Sequence, residues 1–116
     1  MNPKVKAKWL KALRSGEYDQ TESTLLERTP EGDKFCCLGV LCNLYAQEHP
    51  GTGFRKEDMS FFNEIYNLPP EVADWAAIVY EQVSDTCTPV GVHLAVMNDD
   101  DKKNFNEIAN WIEKNL

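Results

Sequence analysis

The sequence contains little of what most metal and catalytic sites require. It has only two histidines, His49 and His93, and its four cysteines form no Cys-x-x-Cys pair. Structural zinc sites usually take two such ligand pairs, so the spacing argues against zinc. A glycine-rich phosphate loop, a serine nucleophile elbow and a dinucleotide-binding fingerprint are also missing. These absences favour a non-enzymatic protein with no cofactor and no metal, without excluding an enzyme.

Long hydrophobic runs are missing as well. No apolar stretch approaches the ~18 residues of a membrane span, and no apolar segment of a secretory signal follows the N-terminal lysines. We therefore expect no membrane association and a cytoplasmic location with reduced thiols. The 116 residues, 42% hydrophobic and 27% charged, fit one globular domain over residues 1–116.

Charge is distributed unevenly within a net value of −7. Residues 1–14 carry five basic residues and no acid, whereas the remainder holds the other seven against all 19 acids, a net of −12. Duplex nucleic-acid binders usually show the opposite balance, so direct duplex binding is not expected. The basic segment is interpreted as the solvated face of an amphipathic helix, with contact to a phosphate or an acidic partner as the alternative.

Residues 35–42 read Phe-Cys-Cys-Leu-Gly-Val-Leu-Cys and hold three of the four cysteines without a charge. This composition predicts a passage from a strand into a helix at the centre of the core. Cys36, Cys37 and Cys42 are interpreted as buried small hydrophobes. Gly39 is predicted to lie at a close contact with another element. Catalysis by one of these thiols would need a low pKa and a nearby base, and it stays a third functional hypothesis.

Helical periodicity and capping residues predict a mostly helical α+β domain, with four to five helices and one short β-hairpin. Asn2 and Pro3 start a helix over 3–15, and a capping box of Asn104 and Glu107 starts the last one. The other predicted helices cover about 37–48, 58–66 and a segment opened by Leu68–Glu71 with Val79 on its apolar face, and 92–97 is predicted to form at most one or two helical turns. The hairpin flanks a turn at 29–33, while 17–24 and 84–91 are predicted to be irregular, the latter at most a short strand.

The apolar stripes of these elements predict one shared core. Its expected members are Leu10, Leu13, Phe35, Leu38, Leu41, Leu44, Val72, Trp75, Ile108 and Ile112. Trp9 is also expected to pack in the core, whereas Trp111 lies at the edge of its stripe and is the better candidate for exposure. A calcium loop that begins at Asp99 would need an oxygen ligand at its fifth position and glycine at its sixth. Lys103 and Asn104 occupy these positions, so the acidic run 98–101 does not fit a calcium loop. We interpret the run as a solvated turn.

Several stretches, taken in order along nearly the whole chain, form a recognisable pattern. They are 9–16 with Tyr18 and Gln20, then 35–42, 68–76, 94–99 and 105–113. This pattern resembles a family of small uncharacterised proteins encoded by tailed phages and bacterial prophages. The resemblance implies a phage accessory protein in the cytoplasm of a bacterial host, and it transfers no activity.

Two functional hypotheses from different classes follow. The first is a non-enzymatic protein that binds a host protein, in particular a defence protein, and inhibits or modulates it. The acidic surface would then steer the chain toward basic partners. The second is a binder that sequesters a small anionic ligand such as a nucleotide signal, in a pocket that a homo-oligomer would help to form. The candidate ligand- or partner-binding residues are Tyr18, Gln20, Arg28, Lys34, Asn98 and Asp99.

Overall fold

The first helix begins directly after its capping residue, Asn2, whose own backbone is extended. In the computed structural model, which describes residues 1–78 and 90–116, α1 covers Pro3–Arg14. The Asn2 side chain accepts hydrogen bonds from the backbone N–H groups of Lys4 and Val5. Past the helix, Gly16 has a φ of +78°, a conformation that glycine adopts without strain. The predicted first helix and its start are confirmed, and it ends at Arg14, one residue before the predicted end.

A small mixed sheet follows α1. Strand β3 (Gly32–Phe35) lies in the middle, antiparallel to β2 (Leu26–Thr29) and parallel to β1 (Asp19–Gln20). The pair of β2 and β3 confirms the predicted hairpin. Strand β1 was predicted as irregular chain, which is wrong. Two polar residues carry no alternating pattern, and only pairing with β3 makes them a strand.

Helix α2 (Cys37–Glu48) runs through the centre of the molecule. Its N-cap is Cys36, whose sulfur accepts a hydrogen bond from the Gly39 N–H at 3.4 Å. Almost every residue of its first half is buried, as expected for a helix that is apolar on all sides. The predicted close contact at Gly39 is confirmed, since a Cβ there would lie 1.8 Å from the Leu25 carbonyl oxygen.

The predicted helix over 58–66 is wrong. Phe61 and Glu64 instead form an isolated antiparallel bridge, closed by backbone hydrogen bonds of 2.8 and 2.9 Å in the two directions. The two residues between them, Phe62 and Asn63, have φ values of +49° and +67°. This is the geometry of a type I′ turn, which a right-handed helix cannot contain.

The remaining helices are α3 (Pro70–Ala76), α4 (Val90–Asp99) and α5 (Phe105–Asn115). The predicted capping box of α5 is confirmed, because the Asn104 side chain accepts from the Glu107 N–H and the Glu107 carboxylate accepts from the Asn104 N–H. Helix α4 is longer than predicted at both ends. Val79 and residues 84–89 lie outside the described residues, so the predictions made for them have no structural counterpart here.

The core is shared by all five of these helices. Seven of the ten predicted core residues are buried, whereas Leu10, Phe35 and Trp75 are half-buried and pack against the core from its edge. Trp9 is fully buried, and its indole N–H donates to the Cys37 carbonyl at 3.0 Å. Over residues 1–78 and 90–116, the structure contains no helix with the length and apolarity needed to cross a bilayer.

Candidate functional site

Three of the predicted site residues meet at one point of the fold. The C-terminal end of α4 brings Asn98 and Asp99 next to β1, where the Gln20 amide nitrogen donates to the Asn98 side-chain oxygen at 2.9 Å. The same Gln20 nitrogen also donates to the Lys103 carbonyl at 2.8 Å. Residues far apart in the chain are therefore joined by one polar cluster.

Asn98 is the centre of this cluster, with only 1% of its surface exposed. Its side-chain oxygen accepts from the Gln20 amide and, at 3.2 Å, from the Cys37 N–H. Its side-chain nitrogen donates to the Thr21 carbonyl and to the Asp99 carboxylate, both at 2.8 Å. The primary amide has two donor hydrogens and two acceptor lone pairs. All four are used within the protein, so Asn98 holds the start of α2 and the region of β1 together.

Asp99 completes the cluster. The same Oδ1 atom that accepts from Asn98 also accepts from the Ser23 N–H at 2.8 Å. Ser23 has a φ of +74°, and this hydrogen bond holds it there. We refer to Gln20, Thr21, Ser23, Asn98 and Asp99 as the polar network. Its hydrogen bonds connect chain segments to one another, which is a structural role.

The other predicted site residues lie apart from the polar network. The Tyr18 hydroxyl accepts from the Asn43 amide at 2.7 Å, and its ring packs edge-on against Phe35 at 5.2 Å. Arg28 and Lys34 lie on the hairpin, where their cross-strand partners are Asp33 and Glu27. Arg28 is exposed and Lys34 half-buried. The structure therefore divides the six candidates among three places.

The thiols of residues 35–42 are buried and protonated at neutral pH. Burial raises the pKa of Cys36 to about 11. It also raises the pKa values of Cys37 and Cys42 well above the ordinary thiol value. Reactive cysteines have a lowered pKa and some exposure, so these three side chains lack both properties of a nucleophile. Among the described residues, no group of three or more His, Cys, Asp or Glu side chains is placed to hold a metal ion.

The basic residues of α1 are largely engaged with other helices. Lys8 forms an ion pair with Glu48 of α2, and Arg14 pairs with Glu113 of α5 at 3.0 Å. Lys6 donates to the Glu113 backbone carbonyl at 3.0 Å. This arrangement agrees with the interpretation of α1 as an amphipathic helix whose charges lie on its outer face.

Sequence reasoning missed a group of aromatic side chains around the turn at Phe62. Tyr45 is its hub, with its ring edge-on to Phe62 at 5.6 Å and to Trp75 at 5.3 Å, and stacked on His49 at 3.8 Å. We call Tyr45, His49, Phe62 and Trp75 the aromatic surface. Phe62 is 38% exposed, and the other three are half-buried.

At the aromatic surface, Phe62 and the following residue Asn63 have a left-handed backbone conformation. A left-handed conformation costs a residue other than glycine roughly 1–2 kcal/mol, and type I′ turns favour glycine, asparagine or aspartate. Asn63 fits this preference, but Phe62 does not. Asn63 was a local signal for the turn, yet the helical spacing of Met59, Phe62 and Tyr66 outweighed it. Tyr66, in the same segment, is 60% exposed.

Acidic groups accompany the aromatic surface. Residues 57–78 contain five carboxylates and no lysine, arginine or histidine. Glu48 belongs to the same neighbourhood, because Lys8, which pairs with its carboxylate, and the Trp75 side chain are both close enough to lower its pKa. The surface therefore joins exposed aromatic area with negative charge, a combination that suits contact with a cationic partner.

Comparison with known proteins yields a family but no activity. No curated protein and no solved structure matches the chain. A family model described as a domain of unknown function, DUF8296, matches residues 1–116. Because this match extends over residues 1–116, the chain belongs to the DUF8296 family.

Proposed function

We propose that this chain is a non-enzymatic, phage-type accessory protein that binds a host protein and inhibits or modulates it, with host defence proteins as the first class to test. The observation that carries the proposal is Phe62, a large apolar side chain held 38% exposed on a left-handed backbone. Strained residues of this kind persist where the surroundings hold them and are concentrated at functional positions.

The composition of the aromatic surface supports a protein partner. Binding energy at protein interfaces is concentrated in a few residues, and tryptophan, tyrosine and arginine are enriched among them. Phe62, Tyr45 and Trp75 form one contiguous group through their ring contacts. A catalytic role has less support, because the thiols are buried and the polar network bonds to itself.

A capture experiment tests the proposal. Wild-type protein, Phe62→Gly and Val96→Ala are each immobilised and exposed to bacterial lysate, and recovered proteins are quantified by mass spectrometry. Glycine accepts the positive φ at residue 62 without strain, so this variant removes the ring and keeps the turn. Val96 is a matched control, since it is 39% exposed and lies on α4.

The expected result is a protein recovered by wild type and by Val96→Ala but lost with Phe62→Gly, and rebinding of that protein in purified form. Recovery of no protein above background in repeated experiments, or equal recovery by all three baits, would refute the proposal.

The second candidate is sequestration of a small anionic ligand, such as a nucleotide signal, by the hairpin. This hypothesis is favoured because Arg28 and Lys34 take part in none of the ion pairs found within residues 1–78 and 90–116. Thermal-shift measurements against cyclic and linear nucleotides test it, with Arg28→Gln as the variant. The absence of any stabilisation at high ligand excess would end this hypothesis.

A further inference from the structure

Among residues 1–78 and 90–116, most acidic side chains of the segments that carry the aromatic surface form no ion pair. The five carboxylates of residues 57–78 belong to Glu57, Asp58, Glu64, Glu71 and Asp74. Within the part of the chain that the structure describes, only Glu57 takes part in an ion pair, with Arg55 at 3.8 Å. Glu71 and Asp74 are exposed on α3, and Glu64 is half-buried at the end of the turn.

These carboxylates lie on the same short segments as the aromatic rings. Glu64 closes the turn that holds Phe62, through backbone hydrogen bonds with Phe61. Asp74 directly precedes Trp75, and Glu71 lies one helical turn before Trp75 on α3. Residues one turn apart share a face of a helix. Glu71 therefore shares a helix face with Trp75, while Glu64 and Asp74 lie on the same chain segments as the rings, and residues 57–78 contain no basic residue to neutralise these charges.

We propose that the aromatic surface binds an arginine-rich basic segment of the partner protein. One guanidinium group of this segment stacks on Phe62, and the neighbouring arginines of the segment pair with Glu64, Glu71 and Asp74. This inference rests on the proposed function and specifies the chemistry of the partner. Arginine suits the surface better than lysine, because its planar, weakly hydrated guanidinium stacks on aromatic rings and binds carboxylates with two parallel hydrogen bonds.

The distribution of charge over the whole chain agrees with this occupant. The net charge is −7, so long-range attraction also favours approach of a basic partner. A second copy of this chain would be the other basic occupant, through α1. Three of the five basic residues of α1, namely Lys6, Lys8 and Arg14, are already bonded to α2 or α5, which favours a different protein.

Fluorescence anisotropy with labelled decapeptides tests the proposal directly. The probes are an alternating Arg-Gly peptide, an alternating Lys-Gly peptide and an alternating Glu-Gly peptide, measured at low and at physiological salt. We expect the Arg-Gly peptide to bind about threefold to tenfold tighter than the Lys-Gly peptide. The Glu-Gly peptide should not bind, and added salt should weaken the binding of both basic peptides.

Two sets of variants separate local recognition from general charge attraction. The triple variant Glu64→Gln, Glu71→Gln, Asp74→Asn should lose about tenfold in affinity for the Arg-Gly peptide, whereas the control Glu17→Gln, Glu31→Gln, Asp100→Asn, with the same net charge, should lose less than about twofold. Phe62→Gly should lose the preference for arginine over lysine. Equal losses in the two triple variants, or unchanged binding by Phe62→Gly, would overturn the proposal.

The peptide assay and the lysate capture fail in different ways. If a host protein is captured through Phe62 but the Arg-Gly peptide does not bind, the proposed function stands and the arginine-rich occupant is wrong. If sedimentation shows self-association that Phe62→Gly abolishes, the occupant is a second copy and the inference is overturned. Binding of the peptide at Phe62 without capture of any protein would refute the proposed function and leave the surface chemistry supported.

Discussion

The polar network around Asn98 and the aromatic surface around Phe62 both consist of side chains that proteins often use for recognition. They differ in exposure, because the polar network is bonded inside the protein and the aromatic surface is partly exposed. In the polar network, every donor and acceptor of the Asn98 amide is paired inside the chain. At the aromatic surface, Phe62 remains 38% exposed although its backbone is strained.

The difference shows how residue type alone misleads. Gln20, Asn98 and Asp99 are polar, and the sequence pattern made them candidate ligand- or partner-binding residues. Buried polar groups are costly unless they are hydrogen-bonded, and here these groups bond to one another and to backbone. The apolar spacing around Phe62 predicted a helix, yet a tight turn carries this ring to the surface. We therefore expect substitutions at or next to the polar network to lower the free energy of unfolding, and substitution of Phe62 at the aromatic surface to leave it nearly unchanged.

The largest effect is expected at Gly39, next to the polar network. A Cβ at this position would meet the Leu25 carbonyl oxygen at 1.8 Å and the Leu25 carbonyl carbon at 2.8 Å. Both atoms are backbone, so the strand region and α2 must separate. Gly39→Ala should lower the free energy of unfolding by more than about 4 kcal/mol, measured by urea denaturation.

Gly53→Ala is the matched control for this prediction. A Cβ at Gly53 would meet nothing within 4 Å, and the substitution should change stability by less than about 1 kcal/mol. A Gly39→Ala protein with wild-type stability would show that α2 and Leu25 do not approach each other as described.

A smaller but still substantial loss is expected for Asn98→Ala. The change leaves the Cys37 N–H and the Thr21 carbonyl without their buried partner, and each unsatisfied group costs about 1–3 kcal/mol. We expect a loss of about 3 kcal/mol in the free energy of unfolding, measured by denaturant titration. Asn106→Ala, at an exposed position of α5, should change it by less than about 0.5 kcal/mol. An Asn98→Ala loss as small as that control would contradict the structural role of the network.

At the aromatic surface, Phe62→Gly should leave stability within about 1 kcal/mol of wild type, because relief of the left-handed conformation offsets the lost ring contacts. Asn63→Ala keeps the positive φ but removes a residue that tolerates it, and should cost about 1 kcal/mol. Thermal unfolding of both variants checks this. A loss of several kcal/mol with Phe62→Gly would place Phe62 in the core and weaken its assignment to a binding surface.

The smallest effect concerns Asp58, which precedes the turn. The pKa of Asp58 lies below its ordinary value of 3.8 because Ser60 stabilises the charged carboxylate, and the Ser60 N–H donates to Asp58 Oδ1 at 3.0 Å. Because the folded pKa is lowered, this contribution is present above pH 3.8 and is lost as the pH falls through the folded value. The Ser60 amide resonance should therefore titrate with a midpoint below 3.8 in NMR spectra. In Asp58→Asn this titration should vanish, and a midpoint at or above 3.8 would contradict the hydrogen bond.

How much of this molecule is readable from sequence depends on whether a feature is local. Asn2 with Pro3, and Asn104 with Glu107, predicted the starts of two helices because capping involves residues only a few positions apart. The hairpin was readable from its turn residues for the same reason. Strand β1 was not, because Asp19 and Gln20 become a strand only by pairing with Lys34 and Phe35.

The candidate site illustrates the same limit. Asn98 and Gln20 were named from the sequence, but their hydrogen bond spans 78 positions, and no local pattern reports whether a polar group finds a partner. The helix predicted over 58–66 was wrong because the spacing of its apolar residues fits a helical face, whereas the chain there forms a tight turn closed by backbone hydrogen bonds between Phe61 and Glu64.

Local rules, then, settle the α+β class, the starts of α1 and α5 and the need for a small residue at Gly39, since each depends on backbone sterics, capping or the period of apolar residues. The tertiary structure alone decides that Asn98 is satisfied and that Phe62 is exposed. Both outcomes depend on segments that are distant in the chain and adjacent in space, where burial sets the energy of each group.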